Sequence, residues 1–355
     1  MNGILSQYMM RSIFATTVLV LVVLLALAGL FEFIAELDDT QGDYQTPRVI
    51  LYTALRLPQL AFQMLPVAAL IGSLLGLGAL AANSEIIVMR ASGLSIQKLA
   101  GMVAVTGFVL FVLTGLLGEF IGPPLDYFAR NMRQAARIGQ DDERLGNATW
   151  VRDGSVILHL ERVSTEFEFG SIYLFLLDDD HGLASIARAE NSGIDKDDRW
   201  ILENLHETQF NDDGVQVVES SRAIENFNID SEVLGISLVK PNSLSGRGLV
   251  SYINYLNRNS LDARRYETEL WYRIARTATV IIMPVLALAF VFGSLRTGGS
   301  GARLMIGIVI GLGYYLASEM LANSGQVFNF DPAVIAWLPS VLLALVTVVA
   351  LNRIR

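Results

Sequence analysis

Apolar positions in this chain gather into long unbroken runs instead of alternating with polar ones. Ser12–Phe31, Leu57–Ser84, Leu99–Gly118, Thr277–Leu295 and Pro332–Asn352 hold no Asp, Glu, Lys or Arg. A bilayer core of about 30 Å takes roughly 20 apolar residues in helical form, so each run predicts a membrane span. Leu304–Ser318 is shorter, yet its apolar character resumes past Glu319, which predicts a sixth. The first run is too long for the h-region of a signal peptide and no small-residue cleavage pattern follows it, so it predicts a retained helix. Composition agrees: 52% of the 355 residues are hydrophobic and 17% charged, with mean hydropathy +0.45, an uncommon balance for a soluble domain.

Between the third and fourth runs the pattern changes. Ser155–Val163, Ser171–Leu177, Arg199–Leu205 and Gly214–Val218 are short and rich in β-formers, and polar clusters such as Asp178–Gly182 and Ser192–Asp198 separate them. That rhythm predicts antiparallel β-structure, a sandwich or an open roll, rather than βαβ units. Tyr127–Ala136 and Ser251–Arg273 read as helical flanks. The expected organisation is therefore an α-helical membrane protein in three parts. Residues 1–125 supply helices one to three, 126–267 a β domain with helical flanks, and 268–355 helices four to six.

Charge adds direction. Arg11, Arg90, Lys98, Arg296, Arg303, Arg353 and Arg355 fall at the termini and in alternate connections, while the other connections are acidic or neutral, as in Glu36-Leu37-Asp38-Asp39. Lys and Arg favour cytoplasmic loops, which predicts cytoplasmic termini and an outward-facing β domain. From Asp126 to Glu267 there are 25 acidic and 15 basic residues, a sign opposite to that which nucleic acid selects. Asp178-Asp179-Asp180 lacks the alternating ligands and closing Glu of an EF-hand loop and reads as a solvated turn.

Catalytic signatures are missing from the sequence. No GxxxxGK[ST] and no HExxH occurs, and His159, His181 and His206 are dispersed over the β domain. The chain has no Cys, which excludes disulfides and thiolate metal sites. Inside the spans the ionisable candidates are Glu32, Glu119 and Glu319, near the outer ends of spans one, three and five. Two readings stay open for them: placement at the headgroup boundary, or contact with a substrate or bound cation. Gly72-x-x-x-Gly76 and Gly307-x-x-x-Gly311 predict close helix approach, and Pro66 and Pro284 predict bends in spans two and four.

The connection between spans two and three, NSEIIVMRASGLS (Asn83–Ser95), is too charged to span a membrane and too aliphatic for an ordinary loop. Ser84 suits an N-cap, Glu85 the positive end of a helix dipole, and Gly93 the positive-φ residue after a last turn. Glu85–Ser92 is therefore predicted to be helical. At about two turns it needs packing to hold it. It serves either as a lid under the bundle or as a knob for a cytoplasmic partner.

The order of six spans with a β domain after the third resembles the LptF/LptG permeases of lipopolysaccharide export. LPVAALIGSLLGLGALAANSEIIVMRASGLS (Leu65–Ser95), GEFIGPPLDYFARNMRQAA (Gly118–Ala136) and ALAFVFGSLR (Ala287–Arg296) carry the likeness, which covers essentially the whole chain and sits closer to the LptG branch. The resemblance implies a permease subunit of an ATP-binding-cassette transporter in the inner membrane of a Gram-negative bacterium, with a jellyroll-like periplasmic domain. The chain itself would bind no cofactor and hydrolyse nothing. ATP and magnesium would be used by two copies of a separate ATPase, LptB, while an LptF-type permease and LptC complete the complex. Ser84, Glu85, Val88, Met89, Arg90, Ala91, Ser92 and Gly93 would then form the coupling helix that docks on LptB.

The resemblance also implies phosphate contacts from Arg130, Arg133 and Arg137. Related LptG chains carry lysines at the outer end of the first span, where this sequence has Glu32, Asp38 and Asp39. Direct phosphate pairing is not expected there, although a divalent cation can bridge acid to phosphate. Competing readings are a membrane sensor with a ligand-binding β domain, a lipoprotein-releasing permease, and a membrane-embedded enzyme. The second places its large domain after the first span, and the third lacks a catalytic constellation.

Overall fold

A computed structural model describes residues 2–38, 40, 43–137, 149–161, 170–178, 182–195, 199–211, 214–225, 227, 241–292, 300–328 and 330–353. They form two compact units. The first comprises Met1–Arg133, Pro241–Leu249 and Arg264–Arg355, and the second Gln134–Lys240 and Val250–Ala263.

The first unit is a helical bundle. Its elements are α1 (Asn2–Leu37), α2 (Thr46–Ala82), the short α3 (Glu85–Ala91), and α4 (Ile96–Leu116), which runs through a π turn (Leu117–Ile121) into α5 (Gly122–Arg137). After the β unit come a 3-10 turn (Pro241–Ser243), α6 (Gly246–Arg258), α7 (Arg264–Phe292), α8 (Ser300–Phe328) and α9 (Pro332–Arg353), with the end of α5 from Gln134 and α6 from Val250 belonging to the second unit. Among the described residues six helices are long and apolar enough to cross a membrane, in agreement with the sequence pattern. Several run past their uncharged stretches: α2 has 37 residues, about 55 Å, well beyond a hydrocarbon core, and begins eleven residues before its run. The overhang is where charged side chains enter the helices, so Arg56, Asp126, Glu269, Arg273 and Arg276 join the three glutamates expected from the sequence. The predicted flank Ser251–Arg273 is two helices, broken between Arg258 and Arg264.

Packing centres on α2 and α7. Met9, Ile13, Leu70, Leu74, Leu77, Ile86, Leu99, Met283 and Leu286 share one buried cluster. Both glycine pairs do what their spacing suggests. A Cβ on Gly72 would run into the Thr17 backbone, and one on Gly76 would lie 2.7 Å from Thr16 Oγ1; Thr16 Oγ1 also donates to the Gly72 carbonyl at 2.7 Å. A Cβ on Gly307 or Gly311 would press on Leu74 and Ile71, or on Val67. Because the obstacle at Gly72 is backbone, Gly72→Val is expected to cost about 1–3 kcal/mol through forced separation of α1 from α2. Thermal unfolding of the purified protein in detergent, monitored by intrinsic fluorescence, checks this against Gly101→Val, where a Cβ meets nothing within 4 Å.

In the second unit six strands run in sequence order as an antiparallel meander: β1 (Thr149–Asp153), β2 (Val156–Leu160), β3 (Ile172–Leu177), β4 (Leu183–Ile194), β5 (Trp200–Asn211) and β6 (Gly214–Glu225). No Greek-key crossover occurs among the described residues. Sequence reading missed β1 and β4, and Ser192–Ile194, taken for a turn, closes β4. One face holds the core: Val151, Leu158, Leu174 and Ala187 pair directly across four strands and are all buried. Tyr255 on α6 closes β1, accepting from Arg152 N at 3.0 Å and donating to Arg152 O at 2.9 Å. Burial pushes its phenol pKa up, so it keeps that proton at neutral pH. The opposite face carries a second in-register row, Trp150, His159, Tyr173, Arg188, His206 and Glu219.

Candidate functional site

The short helix α3 is fixed by two anchors. Ile86 and Met89, 1% and 8% exposed, belong to the bundle's core cluster, and the Arg90 guanidinium lies 5.6 Å from the Phe292 ring at the end of α7. Its C-terminus closes as the sequence suggests, with Gly93 at φ 92° and its N–H donating to the Arg90 carbonyl at 3.0 Å. The N-terminus differs. Ser84 takes the left-handed conformation, φ 61°, and its side chain caps nothing; the chain turns too sharply out of α2 for the extended cap geometry. Glu85 stands in the first turn beside Tyr8 of α1, and Asn83 Nδ2 lies 3.5 Å from its Oε1.

Consequently α3 is both braced and displayed. Ile87 and Val88 are 52% and 66% exposed, and Arg90, Ala91, Ser92 and Gly93 are exposed too. Met89, grouped in the sequence reading with the displayed residues, faces inward and anchors. Ile87, not singled out there, faces outward. The 3.6-residue period puts 86 and 89 on one face and 87 and 88 on the other, and packing against the bundle selects the first for burial.

At the opposite end of the bundle, charged side chains from α1, α2 and α5 meet around Asp126. This carboxylate is fully buried and accepts from Arg56 Nε at 3.0 Å and Arg130 Nε at 2.8 Å. Arg56 also pairs with Glu32 of α1, and Arg133 Nε lies 2.8 Å from Glu36 Oε2. Tyr44 donates to Glu36 at 3.1 Å, and the Tyr52 ring lies 5.5 Å from both the Arg56 and Arg133 guanidiniums. Burial, then the Glu36 charge, pushes the Tyr44 phenol well above its usual value. Three carboxylates and three guanidiniums thus neutralise one another at low exposure, the condition under which buried charge is tolerated.

A second polar group lies at the same end. Glu119, within the π turn, accepts from Gly246 N at 2.7 Å and Arg247 N at 3.1 Å and so caps α6. Arg273 Nη1 donates to the Leu244 carbonyl at 2.9 Å with its guanidinium 4.8 Å from the Phe62 ring. Arg276 lies 4.2 Å from the Tyr272 ring, and Glu319 sits 3.4 Å from Tyr272 Oη and 4.0 Å from Arg276 Nη2.

Of the residues expected to meet substrate, Glu32, Arg130 and Arg133 come together in the Asp126 cluster, and Asp38 is exposed just beyond α1. Asp39 and the side chain of Arg137 lie outside the described residues, as do Arg296, Arg355 and His181. Glu36, Tyr44, Tyr52, Arg56 and Asp126 were not singled out. A signal existed: Arg56 directly precedes an uncharged run, and a guanidinium there needs a partner. No group of three or more His, Asp or Glu side chains with metal-binding geometry occurs among the described residues.

Six spanning-length helices, a β unit between the third and fourth, and a braced helix with an exposed aliphatic side define a polytopic membrane protein of the transporter-subunit class. The chain belongs to the LptF/LptG family of lipopolysaccharide export system permeases, whose profile matches residues 7–353. It is 31% identical over 354 residues to the LptG permease protein of Escherichia coli (strain K12), covering 99% of this chain and 98% of that one. It is 30% identical to LptG of Haemophilus influenzae over the whole of both chains. Identity to the E. coli LptF permease protein is 23%, over 94% of this chain and 90% of the relative.

Proposed function

We propose that this chain is the LptG-type permease of a transporter that lifts lipopolysaccharide from the outer leaflet of the inner membrane and passes it toward a periplasmic bridge. The carrying observation is α3: anchored by Ile86 and Met89, it offers Ile87 and Val88 to a partner. It would dock on an LptB ATPase, with Glu85 pairing to a basic group. Two LptB subunits would supply ATP hydrolysis, and an LptF-type permease and LptC would complete the assembly. The termini and α3 would face the cytoplasm, and the β unit the periplasm, as the basic connections favour.

The physics of extraction explains why such a partner is needed. Each buried CH₂ holds a lipid by about 0.8 kcal/mol, so one twelve-carbon chain is held by roughly 10 kcal/mol. A multi-chain lipid must therefore pass from bilayer to apolar cavity to apolar groove, each step nearly balanced. Lipid would enter sideways between the two permeases, and movement of both α3-type helices would narrow the cavity. Arg130 and Arg133 would take a lipid phosphate by exchange: it replaces Glu36 beside Arg133 and leaves Asp126 holding Arg130. Arg137 would assist. Asp38 and Asp39 would meet phosphate only through a divalent cation.

Affinity purification in mild detergent should recover LptB, an LptF-type permease and LptC with this chain. The same complex in proteoliposomes should release lipopolysaccharide only with ATP. A complex without an ATPase, or release that ignores nucleotide, refutes the proposal and returns the sensor reading.

A further inference from the structure

Building on that function, we propose that the open face of the β unit binds the phosphorylated saccharide head of the transported lipid, along the row Trp150, His159, Tyr173, Arg188. The row is continuous. Trp150 pairs with His159, His159 with Tyr173, and Tyr173 with Arg188, one residue from each of four adjacent strands. Ring centroids are 4.4 Å apart between Trp150 and His159 and 6.0 Å apart between His159 and Tyr173, and the Arg188 guanidinium lies 5.4 Å from the Tyr173 ring. Phe175, in the next row of the same face, lies 5.7 Å from Trp150 and widens the platform.

Two features separate this row from cross-strand pairs that only hold a sheet together. The first is exposure: Trp150 is 63% exposed while Val151, beside it on the other face, is 4% exposed. A tryptophan kept for stability would be turned the other way. Charge is the second. The surrounding segment has 25 acidic and 15 basic residues, yet this row and the one holding Phe175 carry Arg152 and Arg188 against Glu219 alone, the next acids of the face, Glu190 and Glu203, lying beyond them. Glu219 is itself taken by His206, 3.2 Å away. Two residues further along, Glu190 accepts from Asn204.

Aromatic faces beside a fixed guanidinium suit a ligand that is part flat C–H surface and part anion. A sugar ring presents its C–H face to an aromatic plane, and a phosphate takes paired N–H donors from Arg188. A bare acyl chain has no use for the cation, and an acidic peptide no use for a row of rings. The saccharide-phosphate head satisfies both.

The assembled transporter in nanodiscs provides the test. The probe is the phosphorylated oligosaccharide left when every acyl chain is hydrolysed from lipopolysaccharide, with its dephosphorylated form as control. Saturation-transfer NMR and tryptophan fluorescence should report binding. Trp150→Ala and Arg188→Gln should each weaken it about tenfold, as loss of a stacked anchor or a charged pair does. Trp150→Phe should keep most of the affinity, and the dephosphorylated sugar should lose sensitivity to Arg188. Wild-type affinity in both Trp150→Ala and Arg188→Gln, or no binding at all, overturns the assignment and leaves a row that only stabilises the sheet. ATP-dependent lipid release by the same preparation separates the cases: release without oligosaccharide binding refutes this site alone, while absent release refutes the transport function.

Discussion

Glu85→Lys is expected to abolish ATP-driven lipid release while leaving the bundle folded. Glu85 lies on the first turn of α3, and its contacts within the chain, to Tyr8 and Asn83, are light. Ile86 and Met89 carry the packing and are untouched. If α3 docks on the ATPase as proposed, the new lysine meets a basic group there, a like-charge contact costing several kcal/mol, more than about a hundredfold in affinity. The measurement is ATPase activity and lipid release by the reconstituted complex, with melting temperature and helical circular dichroism as controls. Restoration by a reversed charge on LptB would place the pair directly. Full activity in the variant would mean that α3 is a lid rather than a handle.

Asp126→Ala should have the larger effect on stability. Its carboxylate holds two guanidiniums, Arg56 and Arg130, whose side chains are 17% and 25% exposed. Removing one partner of a buried ion pair typically costs about 3–5 kcal/mol, because the remaining charge stays buried and unpaired. Glu32 keeps Arg56 partly compensated, which favours the lower end of that range. The decisive comparison is Asp126→Leu combined with Arg130→Met, since Arg56 then keeps Glu32 as its partner. Deleting both charges should recover much of the loss, measured as the melting temperature of the assembled complex. An additive double variant would show that Asp126 acts through packing alone.

How much of this was legible from the sequence depended on periodicity. The spans declared themselves because uncharged runs of spanning length have one explanation. The face of α3 was readable from 3.6-residue spacing, but its aliphatic residues nearly circle the axis, and only packing decides that Met89 turns inward. β4 escaped notice because Ser, Ala, Arg, Glu and Asn are poor β-formers. Its alternation is one of burial, Ser185, Ala187 and Ala189 inside, rather than of hydrophobicity. The Asp126 cluster was hidden for a different reason. Its members lie at positions 32, 36, 56, 126, 130 and 133, and no local pattern joins segments that meet only when three helices pack.

The π turn at Leu117–Ile121 has a consequence for chain length. A wide turn of this kind absorbs one surplus residue where it lies, without re-phasing the helix beyond it. Gly118, near the start of the turn, leaves a groove for Phe62, and downstream Asp126 meets Arg56. Loss of one residue inside the turn would return it to ordinary α geometry with both faces preserved. The same loss between Pro123 and Asp126 would swing the acid roughly 100° around the axis, away from both its arginines. Evolution has room to edit the length of this span in one place, and a turn further on it does not.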